Sequence, residues 1–248
     1  MNGQNFYTAG HTDALKFAEA LLKKEGLTFL DKPTHSVTHL LLGVPAFKPD
    51  GTLQGEKDLD AVLAQLPESI TVVGGNLHDA RLAPYKKIDL LSEPLYLAEN
   101  ANITAYCALK HAMDHLPVTL RRCEVLVIGW GRIGKCLGKL LKQLDAEVTV
   151  AARKETDRAV LSSLGYKTKD SRNLTDDLSR YRLIFNTVPY MVLTEQACAL
   201  CREDCLKIDL ASALGIGGQD VIWARGLPSK DAPESSGELI ANTILRLL

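Results

Sequence analysis

Val125-Leu126-Val127-Ile128 is an unbroken apolar run that leads directly into Gly129-Trp130-Gly131-Arg132-Ile133-Gly134. An apolar run of this kind reads as a strand buried on both faces, as in a parallel sheet. Ile133, Leu137, Leu140, Leu141 and Leu144 then recur on one face of a helix, and Val148 to Ala152 reads as a second strand. Strand, glycine turn, helix and strand within about thirty residues commit the chain to an α/β fold, because parallel neighbours need a crossover helix. Asp145 stands where Gly commonly ends such a helix, and Asp accepts the left-handed conformation there at modest cost.

The three glycines have separate tasks. Gly129 permits the tight turn, Gly131 lets a pyrophosphate approach the backbone, and Gly134 lets the helix pack close to the strand. The helix start then offers N–H groups and its positive dipole end to the phosphates. Trp130 and Ile133 complete the loop. Arg132 can reach the pyrophosphate or stand as a solvated surface charge. The cofactor expected is therefore a nicotinamide dinucleotide. An NAD-preferring site wants a carboxylate at the end of the second strand, but here Arg153 and Lys154 precede Glu155. A guanidinium suits a 2′-phosphate, so NADP is expected, with NAD left open if Arg153 instead stacks on the adenine.

Two further strand ends point to the same crevice: Asn186-Thr187-Val188-Pro189 after the strand at Leu183, and Asp209-Leu210-Ala211-Ser212 after the strand at Leu206. In an open parallel sheet, ligands bind beyond the carboxyl ends of the strands. Asn186 can equally close an Asx turn, and Asp209 can be a buried, hydrogen-bonded carboxylate.

The α/β alternation extends along the chain. Helices are expected over Asp13–Lys24, Asp58–Leu66, Thr104–Leu116, Arg158–Leu164 and Thr194–Arg202. Strands are expected over Val37–Val44, Ile70–Val73 and Val221–Ala224, with a weak one within Pro84–Leu91. Phe47 to Glu56 has turn chemistry, and no clear strand precedes Asp13. The pattern changes after Pro117, which marks a hinge. Asp231 and Glu234 read as a capping box opening a last helix on Leu239, Ile240, Ile244, Leu245 and Leu248.

With 29 Lys and Arg against 30 Asp and Glu, the chain is nearly neutral. A nucleic-acid surface or a polybasic membrane patch needs clustered cations, and neither is expected. No apolar run reaches the ~20 residues of a membrane span, and no signal peptide is evident at the start. A cytoplasmic globular protein with six reduced cysteines is the expectation. Cys198, Cys201 and Cys205 would share one helical face; without a fourth ligand they read as small buried hydrophobes. His111 and His115, four apart, lack the Glu of an H-E-x-x-H site, so no metal is expected.

Further motifs resemble those of one family. Gly129-Trp-Gly-Arg-Ile-Gly134, Ala151-Ala-Arg153, Asn186-Thr-Val-Pro189, Asp209-Leu-Ala-Ser212, Gly226-Leu-Pro-Ser-Lys-Asp-Ala-Pro233 and Ser236-Gly-Glu238 are similar to the A subunits of dipicolinate synthases from spore-forming bacteria. Glu99-Asn-Ala-Asn-Ile-Thr-Ala105 looks like that family's hinge, although Tyr106-Cys107 follows where the family tends to have Glu-Gly. The resemblance implies a Rossmann-type doubly wound parallel sheet preceded by a smaller α/β cap domain, as in 2-hydroxyacid dehydrogenases. The corresponding boundaries are 1–101 for the cap, 102–230 for the dinucleotide domain and 231–248 for a helix packing back on the cap.

The resemblance also implies oxidation of a dihydropyridine dicarboxylate to pyridine-2,6-dicarboxylate, with hydride passing to NADP or NAD. A flavoprotein-like B subunit of dipicolinate synthase is the implied partner, and a homo-oligomer is left open. Because the product is aromatic, hydride loss is strongly driven and a dedicated base is not obligatory. The site must hold a dianion, which calls for cations and N–H donors. Arg81, Arg225 and Lys230 are the candidate cations; Asn102 and Thr104 could donate to substrate or cap the hinge helix. Two other readings stand beside this one: a different NADP-dependent dehydrogenase of shikimate or 2-hydroxyacid type, and a non-catalytic NADP-binding protein.

Overall fold

The computed structural model describes residues 3–55 and 58–248; Glu56, the last residue of the expected turn stretch, lies outside the described residues. The chain divides into two compact units, one joining the residues up to Asn100 with Pro228–Leu248, the other spanning Ala101–Leu227.

The first unit begins with β1 (Asn5–Thr8), α1 (Asp13–Lys24), β2 (Thr28–Phe29), β3 (His39–Leu41), α2 (Leu59–Leu63), β4 (Thr71–Gly74) and β5 (Lys86–Asp89). Its five strands are parallel in the order β2-β1-β3-β4-β5, the flavodoxin-like arrangement. β1 corrects the sequence reading, which found no strand before Asp13. Four residues are too few to display a period, and their burial comes from long-range pairing of Phe6, Tyr7 and Thr8 with His39, Leu40 and Leu41. The core beneath contains Leu40, Leu42, Leu59, Ile70 and Val72.

Helix α3 (Pro94–His115) starts ten residues before the expected Thr104. Proline is suited to a first helical turn, and the Glu93 carboxylate accepts from Tyr96 N–H at 2.5 Å. The division between units falls inside α3, between Asn100 and Ala101, and not after Pro117.

The second unit continues with β6 (Glu124–Ile128), α4 (Arg132–Gln143), β7 (Glu147–Ala152), α5 (Glu155–Ser163), β8 (Lys167–Asp170), β9 (Leu183–Asn186), α6 (Glu195–Cys198), β10 (Leu206–Asp209) and β11 (Val221–Trp223). All six strands are parallel, in the order β11-β10-β9-β6-β7-β8. This is the doubly wound Rossmann order, read from its far edge. Val125, Leu126, Val127 and Ile128 are fully buried, as both-face coverage requires. β8 escaped the sequence reading because Lys-Thr-Lys-Asp has no apolar residue; it is an edge strand held by backbone pairing to β7. Asp145 does adopt the left-handed conformation, with φ 56°.

Helix α6 has only four residues, capped by the Thr194 hydroxyl, and stops well short of Arg202. Cys201 and Cys205 therefore do not share a helical face with Cys198. After α7 (Leu227–Asp231), the last helix α8 (Pro233–Leu247) begins behind Ala232 with no side-chain cap. Asp231 ends α7 and is not the expected N-cap. Within the first unit α8 lies against α1 so closely that a Cβ at Gly237 would be 2.5 Å from Phe17 Cβ and 2.6 Å from the Ala14 carbonyl oxygen. Arg246 of α8 also pairs with Glu93 at 2.9 Å. Among the described residues, no helix is long and apolar enough to cross a membrane.

Candidate functional site

The sheet of the second unit reverses its winding between β6 and β9: the chain proceeds from β6 toward β7 and β8, and from β9 toward β10 and β11. The crevice outside the carboxyl ends of such a pair is where α/β sheets bind ligands. The turn Gly129–Gly131 leaves β6 there and enters α4.

Its glycines divide into two kinds. Gly129 has φ 105°, and a Cβ on it would lie 2.3 Å from Thr187 Oγ1. A Cβ on Gly134 would lie 2.1 Å from the Gly129 carbonyl oxygen. These two fix the turn to the protein. Gly131 meets nothing within 4 Å in the Cβ direction, and its φ of −82° is open to any residue. It occupies the N-cap of α4 with no side chain bonded over the helix start. The first turn of a helix has N–H groups without intrahelical acceptors, so α4 presents an uncapped positive end beside an open backbone. A pyrophosphate fits that cradle.

The two neighbouring strand ends support the turn from below. Thr187 N–H and Oγ1 both donate to the Ile128 carbonyl, at 2.9 and 3.0 Å. Asp209 is fully buried and accepts from Ala211 N–H at 2.9 Å, Gly215 N–H at 2.7 Å, Ile216 N–H at 3.0 Å and Asn186 Nδ2 at 3.0 Å. Asn186, also buried, closes an Asx turn by accepting from Val188 N–H at 2.9 Å. The carboxylate and amide are satisfied inside the protein, so they shape the 187–189 and 211–216 loops and do not reach the surface as cofactor contacts. Pro189 and Ser212 are exposed on those loops, and Thr187 and Val188 are half-buried. Gly215 was missed by sequence reasoning: a Cβ there would sit 2.5 Å from Asn186 Nδ2, and its signal was the Gly-Ile-Gly-Gly run at 215–218.

Trp130 packs edge-on against Tyr166, with centroids 5.6 Å apart, and so anchors the turn on the α4 side. Ile133 is half-buried and Arg132 is exposed. Beyond β7, Arg153 and Lys154 are both exposed. A second residue that sequence reasoning missed lies beneath them. Arg158 Nη1 donates to the carbonyls of Ala152 and Arg153, both at 2.9 Å, and pairs with Asp170 at 3.3 Å. Hydrogen bonds from Arg172, with the Arg158 charge nearby, hold the Asp170 carboxyl well below the usual range.

The candidate substrate residues are divided between the units. Asn102 and Thr104 lie inside α3, so neither caps it; Asn102 is exposed and Thr104 buried. Arg225 in the second unit lies over the Trp223 ring, 5.0 Å from its centroid. In the first unit, Lys230 is exposed on α7. Arg81 is bound by Asp79 at 2.8 Å and Asp60 at 3.4 Å, so its charge is already matched. Among the described residues, no group of three or more His, Cys, Asp or Glu could hold a metal ion.

A family model described as "Putative NAD(P)-binding" matches residues 116–212, which take in β6 to the end of β10 and the glycine turn. In sequence the chain is 28% identical over 145 residues to the A subunit of dipicolinate synthase from Bacillus subtilis, covering 55% of this chain and 49% of that protein's length. The resemblance is to the dipicolinate synthase A subunits. The crystal structure of the A subunit from Bacillus halodurans matches with a TM-score of 0.86 at 19% identity, over 99% of this chain and 98% of that one. D-lactate dehydrogenase from Escherichia coli matches with a TM-score of 0.60 at 14% identity, over 98% and 95% of the two chains. The chain thus has the fold of the dipicolinate synthase A subunits, and its Rossmann-type sheet lies in the stretch that the putative NAD(P)-binding family model matches.

Proposed function

We propose that this chain oxidises a dihydrodipicolinate-type precursor to pyridine-2,6-dicarboxylate, with NADP as hydride acceptor, in the cytoplasm during spore formation. The observation that carries the reading is the open Gly131 turn at the reversal point of a Rossmann sheet, in a chain similar to the A subunit of dipicolinate synthase. Gly129, Gly131 and Gly134, with the N–H groups of Arg132 and Ile133, would hold the pyrophosphate. Arg153 and Lys154 would hold a 2′-phosphate, because Arg158 fixes the backbone from which both side chains project. Thr187, Val188, Pro189 and Ser212 would line the nicotinamide side, above Asn186 and Asp209. The bound cofactor supplies hydride acceptance.

The protein's remaining work is to orient a dianion and exclude misaligned poses. Arg225 is an exposed cation suited to a carboxylate, and Asn102 is an exposed donor of the same unit. A protein of flavoprotein fold, like the B subunit of dipicolinate synthase, is the proposed partner, by analogy with the name of the relative.

The test mixes the purified chain, with and without a dipicolinate synthase B subunit, with NADP or NAD and freshly prepared dihydrodipicolinate precursor. Reduced nicotinamide and dipicolinate should appear in step, faster with NADP. Cofactor binding without either signal would favour a non-catalytic NADP-binding protein, and turnover of a hydroxy acid instead would favour a 2-hydroxyacid dehydrogenase.

A further inference from the structure

Asn186, Asp209 and Trp223 are register partners at the carboxyl ends of β9, β10 and β11. Register partners of a parallel sheet share a face. The first two are buried, whereas Trp223, on the edge strand, is 45% exposed. Its indole is nevertheless held. Trp223 Nε1–H donates to the Ala211 carbonyl at 3.0 Å, and Ala211 N–H donates to the buried Asp209 carboxylate at 2.9 Å. The next residue, Ala224, donates its N–H to the Asp209 carbonyl at 2.8 Å. The Arg225 guanidinium lies over the indole, 5.0 Å from the ring centroid. Among the described residues Arg225 has no ion-pair partner, whereas Asp79 and Asp60 match the charge of Arg81.

We propose that Trp223 is a positioning residue that holds the Arg225 guanidinium ready for one carboxylate of the substrate; this rests on the dicarboxylate reading of the site.

The chemistry of the pair carries the assignment. A carboxylate partner inside the protein would occupy the guanidinium fork. An aromatic face holds the cation through its π system and leaves the N–H donors of the fork free. A free fork takes a carboxylate through two parallel hydrogen bonds. An unsupported arginine loses rotamer freedom when it binds, and contact with a fixed ring removes part of that loss beforehand. The chain of contacts runs from buried to exposed: Asp209 holds Ala211, Ala211 holds Trp223, and Trp223 carries Arg225. β11 lies two strands from β9, roughly 10 Å along the carboxyl edge of the sheet. Arg225 therefore serves a group at the outer end of the crevice, away from the glycine turn.

The test titrates the full chain, saturated with NADP, with pyridine-2,6-dicarboxylate by isothermal titration calorimetry. The aromatic compound has no hydride to give, so the complex does not turn over. The native chain should bind it, and Arg225→Ala should weaken binding roughly thirtyfold. Trp223→Leu should weaken it roughly fivefold, and Trp223→Phe, which keeps a ring but no Nε1 donor, by less than about twofold. Trp223→Leu combined with Arg225→Ala should bind no more weakly than Arg225→Ala alone, because the ring acts through the arginine. Trp223→Thr is a second ring-free variant suited to an edge strand, and thermal melts check that each variant is folded. Binding unchanged in the folded Leu and Thr variants, equal losses in the Phe and Leu variants, or additive losses in the double variant would each overturn the positioning role while the dicarboxylate reading stands. Failure of the native chain to bind the dicarboxylate would overturn that reading and this inference with it.

Discussion

Each unit of this chain has a parallel strand that leaves through a glycine turn into a helix, and the two turns are put to opposite use. In the first unit β1 passes through Gly10, and the direction of its missing Cβ is filled by the Gln54 carbonyl oxygen at 2.4 Å. Helix α1 is then capped by the Thr12 hydroxyl, which accepts from Leu15 N–H at 3.2 Å. In the second unit β6 passes through Gly131, which has nothing within 4 Å, and α4 has no side-chain cap. Glycine alone therefore does not mark a ligand site. What distinguishes the second turn is that the protein leaves its helix dipole and backbone unanswered.

Substitutions can break or sharpen that contrast. The largest effect is expected where the open turn is tied to its support: Gly134→Val puts a branched side chain where even a Cβ would lie 2.1 Å from a carbonyl oxygen. A loss of about 3 kcal/mol or more in urea unfolding is expected. Gly131→Ser gives α4 the kind of cap that α1 already has. Titration should show NADP affinity falling roughly thirtyfold, about 2 kcal/mol, while stability changes by only a few tenths. If affinity is unchanged, the turn is not the pyrophosphate cradle. Arg153→Asp with Lys154→Ala should weaken NADP about tenfold, or ~1.4 kcal/mol, and leave NAD nearly unaffected. Smallest of the four, Thr12→Ala should cost about 1 kcal/mol in a thermal melt without altering nucleotide binding.

The contrast also shows what a sequence can display. The β6–α4–β7 segment was legible because Val125–Ile128 and the Ile133–Leu144 stripe carry their own periods. The second strand's missing carboxylate was legible for the same local reason. β1 and β8 were not, because Asn5–Thr8 and Lys167–Asp170 become strands through partners far along the chain. The start of α3 turned on one capping residue, Glu93, and α8 starts at Pro233 behind Ala232 with no side-chain cap at all. Within the site, the glycines were readable, whereas the Asx turn at Asn186 and the buried carboxylate of Asp209 stood in the sequence only as alternatives to cofactor contacts. Satisfaction of a carboxylate by four donors from three chain segments is a tertiary fact. Arg158 was hidden because two of its partners are backbone carbonyls, which every sequence contains, and the third, Asp170, lies on the edge strand β8 that the sequence did not display.

The packing of α8 on α1 has a consequence for synthesis. The first unit is assembled from segments on either side of Ala101–Leu227. On a ribosome, α1 emerges early, yet the helix that covers Ala14 and Phe17 follows only after the whole intervening unit. At ~5–20 residues per second, synthesis of Ala101–Leu227 alone takes roughly 6–25 s. The dinucleotide unit is contiguous and can close during this time, so the part of the protein that meets the cofactor can be finished before the unit that precedes it.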